Sequence, residues 1–174
     1  MADLAEQSAR SRSIAGIPTS VVVVAAAVAA TLLGDSMLYA VMPSRPDAWA
    51  LSVPAVGVLL SANRLVRLLT NPVAVWVFER LGPRAPFAFA LVLAAVVTFV
   101  YGWATAFFVL LGARMVWGLC WSMLRLGGFW AVLNAATDDD RGLLMGWYSA
   151  IVRMGSVGGA LVGALLTDAI GHRS

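Results

Sequence analysis

Five long apolar stretches constrain this sequence of 174 residues more than any other feature. They occupy residues 19–42, 50–78, 86–101, 106–134 and 143–170. A helix needs about 20 mostly apolar residues to cross the hydrocarbon core of a bilayer. Apolar residues make up 61% of the chain and charged residues only 12%, a balance that excludes an ordinary soluble domain. The sequence therefore predicts an all-α integral membrane protein with about five transmembrane helices in one domain, residues 19–174.

The arginine distribution predicts the orientation of these helices. Residues 1–18 are polar, carry both charge signs and have no apolar stripe, so we expect a short cytoplasmic tail. With this end inside, five arginines fall in inner segments and two in outer ones: Arg10, Arg12, Arg80, Arg84 and Arg141 against Arg45 and Arg173. Because cytoplasmic loops carry the excess of positive residues, this count favours a cytoplasmic N-terminus. We expect the chain in the plasma (inner) membrane of a bacterium.

Two charged residues of opposite sign are expected at the same depth in the membrane. Asp35 lies in the first predicted span and Arg114 in the fourth. A helix rises about 1.5 Å per residue, which places both side chains roughly 11–12 Å below the outer surface. An arginine inside a span costs about 2.5–3.5 kcal/mol on insertion scales, so residues of this kind are usually kept for function.

Further polar side chains lie deeper in the second and fifth spans. Arg64, beside Asn63, and Arg153 are each about 15–20 Å from a helix end and have no acidic residue nearby in sequence. Acids on other helices, an anionic substrate, or water and backbone carbonyls must neutralise them. We expect Arg67 and Arg125 to extend towards the membrane interface, as long basic side chains often do.

Two distant parts of the chain share a pattern at an offset of 89 residues. The matched positions are Arg64 with Arg153, Glu79 with Asp168, Gly82 with Gly171, and Arg84 with Arg173. Three spans separate the copies, so they cross the membrane in opposite directions. Inverted repeats of three helices each occur within the halves of transporters. The pattern predicts such a three-plus-three repeat, lacking its last helix.

Four local motifs resemble those of the major facilitator superfamily of transporters. Residues 79–84 resemble the loop between helices 2 and 3, with Glu79 at the acidic position. The other three are residues 34–43 for the helix 1 signature, residues 114–118 for the helix 4 motif, and the glycines of span 5 for the helix 5 motif. The resemblance covers residues 19–173 but only five of the family's usual twelve helices. It implies part of an N-terminal bundle, either a fragment or a chain whose partner supplies the C-terminal half.

The resemblance also implies roles for named residues. Asp35 and Arg114 would pair in the central cavity as the proton-coupling site, or would only tie two helices together. The side chains facing the opposite half or the substrate, which would then be anionic or zwitterionic, would be Asn63, Arg64 and Arg153. The gating loop would comprise Glu79, Arg80, Gly82 and Arg84, whose arginines have orientation of the chain as their alternative role.

Three glycines of the fifth span fall four residues apart on one helix face: Gly155, Gly159 and Gly163. Small residues at this spacing let another helix approach closely. The pattern predicts a tight helix contact, which is either fixed packing within the domain or a mobile interface.

The sequence lacks the residue patterns that an enzyme, a metal site or a nucleic-acid-binding protein would need. The single histidine, His172, and the single cysteine, Cys120, leave no catalytic or metal-binding set, and we expect no enzyme, metal or cofactor. The absence of lysine and of basic runs argues against nucleic acid as a partner. The expected partners are the bilayer and a small solute, moved by alternating access. The alternative is a non-transporting truncated membrane protein, or an assembly partner for another half-transporter.

Overall fold

The computed structural model describes residues 13–14, 16–44 and 51–171, and it consists mainly of five long helices. They are α1 (Thr19–Ser44), α2 (Val53–Leu81), α3 (Arg84–Trp103), α4 (Phe107–Ala135) and α5 (Arg141–Gly171). All five are long and apolar enough to cross a membrane. The predicted all-α membrane fold with about five spans is confirmed. Most of the expected tail, with Arg10 and Arg12, lies outside the described residues, as do Arg45, His172 and Arg173.

The ends of α1 and α2 follow from local hydrogen bonding. Ser52 precedes α2, and its hydroxyl accepts a hydrogen bond from the Ala55 amide at 3.4 Å. This satisfies one of the donors that the start of a helix leaves free. The apolar stretch in the sequence ends at residue 42, before Pro43, but the helix continues to Ser44. The Ser44 hydroxyl donates to the Ala40 carbonyl at 2.8 Å, a bond that supports the last turn around the proline.

A short hairpin precedes α1. Strand β1 (Ser13–Ile14) pairs antiparallel with β2 (Ile17–Pro18), and Gly16 has a φ of 79° in the turn between them. Glycine adopts such a positive φ without steric cost. Ile17 is buried in a cluster with residues of α1, α4 and α5. The end of the polar N-terminal segment therefore packs against the helices.

The helices pack in two main pairs, α1 with α5 and α2 with α4, and α3 lies against α4. The glycines of α5 make the first contact close. A Cβ atom on Gly155, Gly159 or Gly163 would overlap backbone atoms of Ala29, Leu33 or Met37 respectively. A hydrogen bond of 2.8 Å between the Ser36 and Ser156 hydroxyls joins the same two helices. The predicted glycine face thus lies directly against α1.

The α2–α4 contact repeats the α1–α5 contact at the 89-residue offset. That offset carries Ala29 of α1 onto Gly118 of α4, and Gly155 of α5 onto Val66 of α2. A Cβ atom on Gly118 would overlap the Val66 side chain, so the second pair crosses at the corresponding point. The small residue belongs to α5 in one pair and to α4 in the other. This arrangement is what an inverted repeat requires.

We expect the α1–α5 contact to be sensitive to a single methyl group. Gly159→Ala would force the helices apart and lower the free energy of unfolding by about 1–3 kcal/mol, the usual cost of overpacking. The matched control is Gly158→Ala, because a Cβ atom at Gly158 meets nothing within 4 Å. Reversible unfolding in mixed micelles measures both. Equal effects of the two substitutions would contradict this close packing.

Candidate functional site

A buried ion pair joins α1 to α4 in the interior of the bundle. Nη1 of Arg114 donates to Oδ1 of Asp35 at 2.5 Å. Arg114 is 0% exposed and Asp35 5% exposed, so water stabilises neither charge. Removing one member of such a pair leaves an uncompensated buried charge, which is strongly destabilising. The structure thus brings together two residues, 79 positions apart, that the sequence placed at one depth.

Two tyrosines surround the Arg114 guanidinium. Its Cζ atom lies 4.7 Å from the centre of the Tyr39 ring and 5.7 Å from that of Tyr101. Tyr39 follows Asp35 by one turn of α1, whereas Tyr101 comes from the end of α3. A cation is attracted to the electron-rich face of an aromatic ring, most strongly where water is excluded. The ion pair therefore rests in an aromatic enclosure built by three helices.

Several hydrogen-bond donors near this pair are buried without an acceptor among the described residues. Among the described residues, four buried N–H groups have no hydrogen-bond partner: Nε and Nη2 of Arg114, Nδ2 of Asn63 and Nε1 of Trp117. No buried carbonyl or carboxylate oxygen of a described side chain is left in that state. Buried polar groups usually find partners, so such groups call for an explanation. These N–H groups are fully enclosed by the helices, so they do not face the open space beside the pair.

A cavity of about 470 Å³ lies next to the ion pair, among α1, α2, α4 and α5. Its lining includes charged, hydroxyl and aromatic side chains: Asp35, Ser36, Tyr39, Arg64, Arg67, Trp117, Trp121 and Ser156. The Trp117 and Trp121 rings stack with centres 5.8 Å apart and planes 16° apart. Within the described part of the chain, no three acidic, histidine or cysteine side chains cluster as a metal site would need.

Arg67 does not extend towards the interface as the sequence suggested. Its side chain is half-buried, and Nε donates to the backbone carbonyl of Asn63 at 3.2 Å and to Oδ1 at 3.1 Å. Its Cζ atom lies 5.9 Å from the centre of the Trp121 ring. Asn63, one turn earlier on α2, supplies acceptors that hold the guanidinium beside the cavity. Arg125, in contrast, is exposed and stacks on Phe129.

The remaining predicted residues lie apart from the cavity. Arg153 is exposed on α5 and does not line the cavity, although its repeat counterpart Arg64 does. Glu79 and Arg84 are both exposed and form no ion pair with each other. Arg80 lies over the Trp76 ring at 4.7 Å, and Gly82 ends α2 with a φ of 72°. The turn for which the sequence predicts a gating role thus has exposed charged side chains, and its described residues form no salt bridge with one another.

Sequence reasoning did not identify the aromatic residues of the site. Trp117 and Trp121 follow Arg114 by three and seven residues, which places all three on one face of α4. Tyr39 is four residues after Asp35 and shares its face of α1. That spacing is a signal in the sequence, but it is typical of ordinary apolar packing too. Only the arrangement of the helices shows whether such aromatic residues line a cavity or pack in an ordinary apolar contact.

Known proteins resemble this chain over most of its length. A family profile described as Major Facilitator Superfamily matches residues 24–174. The niacin transporter NiaP of Acinetobacter baylyi is 34% identical over 94 residues, covering 51% of this chain and 20% of that protein. The synaptic vesicular amine transporter of Homo sapiens is 28% identical over 117 residues, covering 67% of this chain and 23% of that protein. The matched part spans less than a quarter of either relative.

The ion pair should show its interdependence in a double-variant cycle. Arg114→Leu leaves the Asp35 carboxylate buried and unpaired, and we expect it to lower the free energy of unfolding by about 3–5 kcal/mol at alkaline pH. Adding Asp35→Leu should recover most of that loss, because neither charge remains. Arg84→Leu, at an exposed arginine at the start of α3, is the control and should change stability by less than about 0.5 kcal/mol. Additive losses in the double variant would argue against a direct pair.

Proposed function

The chain belongs to the major facilitator superfamily, and we propose that it forms one wall of a transporter that moves a small solute across a membrane by alternating access. The observation that carries this proposal is the cavity beside a buried ion pair, lined by four helices long and apolar enough to cross a membrane. Ionisable residues inside a membrane are expensive and usually mark a substrate or ion pathway. The names of the two relatives refer to different solutes, so we assign no solute from them.

Helices outside this sequence would form the opposite wall of the pathway. Arg64 is exposed at the cavity and Arg153 on the surface of α5, and neither has an ion-pair partner among the described residues. A guanidinium at membrane depth requires an acid, a substrate or water. Acidic groups on the other half, in the same polypeptide or in a partner chain, would meet this requirement. The expected location is a bacterial inner membrane, with the N-terminus in the cytoplasm.

We propose Asp35 as the residue that couples solute movement to protons. It is the only buried carboxylate among the described residues. The charged and titratable groups around it are Tyr39 on its own helix, Arg67 on α2, Tyr101 on α3 and Arg114 on α4. Protonation would remove the charge that holds Arg114 and weaken the link between α1 and α4. A proton would thereby change the balance between two arrangements of the helices.

The loop between α2 and α3 would act as a gate on the cytoplasmic side. Glu79 and Arg84 are exposed and unpaired with each other, so both are available for contacts that form in only one arrangement of the transporter. The left-handed Gly82 fixes the turn between them. The close α1–α5 contact supports a different role for the glycines of α5, which would keep these two helices together as one unit.

Uptake into liposomes tests the transport proposal. The chain is reconstituted under an imposed pH gradient, and labelled niacin, benzoate and dopamine are offered separately. Where a second half supplies the opposite wall, we expect gradient-dependent accumulation of at least one solute above that in empty liposomes. Asp35→Asn should abolish the pH dependence, whereas Asp138→Asn, an exposed loop carboxylate, should preserve it. Unchanged pH dependence in Asp35→Asn would exclude Asp35 as the coupling group.

The same experiment separates transport from the alternative role. If no solute accumulates with the chain alone, transport by this polypeptide by itself is excluded. The chain would then be an assembly partner or a non-transporting membrane protein. Co-reconstitution with a C-terminal half from a relative would test the assembly role, since only a true partner would restore uptake.

A further inference from the structure

We infer that the cavity among α1, α2, α4 and α5 binds a flat aromatic ring that carries one carboxylate. The inference rests on the proposed function only in treating this cavity as the solute site. Its basis is the juxtaposition of two guanidinium groups with a stacked pair of tryptophans on the cavity wall. Charge, hydrogen-bonding capacity and wall chemistry each narrow the class of ligand.

The charge of the lining selects an anion. Three charged residues among those described line the cavity: Asp35, Arg64 and Arg67. The negative charge of Asp35 is already neutralised by Arg114, so two positive charges face the cavity without a carboxylate of their own. A cationic solute would meet like charges in a medium of low dielectric constant, where repulsion is strong. A single carboxylate would offset part of this charge.

Arg67 is held in a position from which it can bind such a carboxylate. Its Nε atom is engaged by Asn63, which restricts the guanidinium plane. Among the described residues, Nη1 and Nη2 of Arg67 have no hydrogen-bond partner. These N–H groups can donate to the oxygens of a carboxylate, and charge-assisted bonds of this kind are stronger than neutral ones. Arg64, three residues earlier, supplies a second cation at the same wall.

The tryptophans determine the shape of the rest of the ligand. The Trp121 ring is half-buried at the cavity, and Trp117 stacks behind it with nearly parallel planes. The Arg67 guanidinium lies 5.9 Å from the Trp121 ring centre, so a carboxylate at Arg67 would place its attached group against that ring. Aromatic pairs add about 0.5–1.5 kcal/mol beyond simple area burial. A flat ring therefore fits this wall better than a branched aliphatic group.

The cavity size is compatible with this class of ligand. Sites for small organic molecules are usually about 300–1,000 Å³, and the 470 Å³ here lies in the lower part of that range.

Equilibrium binding of labelled benzoate to the full chain in lipid nanodiscs tests this inference. We expect saturable binding that benzamide and benzylamine compete for at least tenfold more weakly than unlabelled benzoate, because they lack the negative charge. Arg67→Gln should weaken benzoate binding at least tenfold. The matched control is Arg125→Gln, an exposed arginine on α4 that does not line the cavity, which should leave binding unchanged.

A second comparison isolates the role of the aromatic wall. Trp121→Leu should weaken benzoate binding several-fold while leaving that of cyclohexanecarboxylate, a carboxylate without an aromatic ring, nearly unchanged. Trp130→Leu is the control, since Trp130 is exposed and does not line the cavity.

If Arg67→Gln fails to fold, Arg67→Lys keeps the positive charge but lacks the planar pair of guanidinium donors. It should give an intermediate loss of benzoate affinity. Chromatographic profiles and thermal unfolding identify folded variants.

Three results would overturn the inference. They are the absence of saturable benzoate binding, competition by benzylamine as strong as that by unlabelled benzoate, and an equal loss of affinity for benzoate and cyclohexanecarboxylate in Trp121→Leu. Binding is measured without transport, so these outcomes leave transport of another solute standing. Benzoate binding without uptake would support the ligand site, but it would exclude transport by the chain alone.

Discussion

The ion pair between Asp35 and Arg114 is the interaction on which the arrangement of this membrane domain depends. Neither charge is tolerable alone in the apolar interior, so each requires the other at the same depth. Their bond fixes α1 against α4, and the tyrosines from α1 and α3 enclose the guanidinium. The cavity with its arginines and tryptophans lies directly beside this pair. The ion pair therefore contributes both to the packing of the helices and to the charge environment of the cavity.

The inverted repeat explains how five helices hold that contact. α1 lies against α5 and α2 against α4, and the two crossings correspond at an offset of 89 residues. Glycine permits close approach at both crossings, on α5 in one case and on α4 in the other. Thr70 and Ser122 share a hydrogen bond of 3.0 Å where the offset predicts the counterpart of the Leu33–Gly159 contact. Two closely packed helix pairs thus surround a cavity that neither pair forms alone.

Much of the fold and part of the site could be predicted from the sequence, and the predictions that were wrong have physical reasons. Hydropathy and length gave the five helices, because a bilayer demands long apolar runs. Depth counting placed Asp35 and Arg114 in one layer, but it does not determine the direction in which a side chain points around its helix. Arg67 was wrongly expected at the interface for that reason, since Asn63 and Trp121 retain it. Proton coupling and gating remain predictions.

The protonation state of Asp35 during the transport cycle distinguishes a proton-coupling residue from one that only ties two helices together. Infrared difference spectroscopy of the chain in lipid detects the carbonyl stretch of a protonated carboxyl group, and Asp35→Asn identifies the band. If Asp35 couples transport to protons, this band appears and disappears across the pH range in which uptake changes. A carboxylate that stays ionised throughout that range would show that Asp35 and Arg114 only tie two helices together.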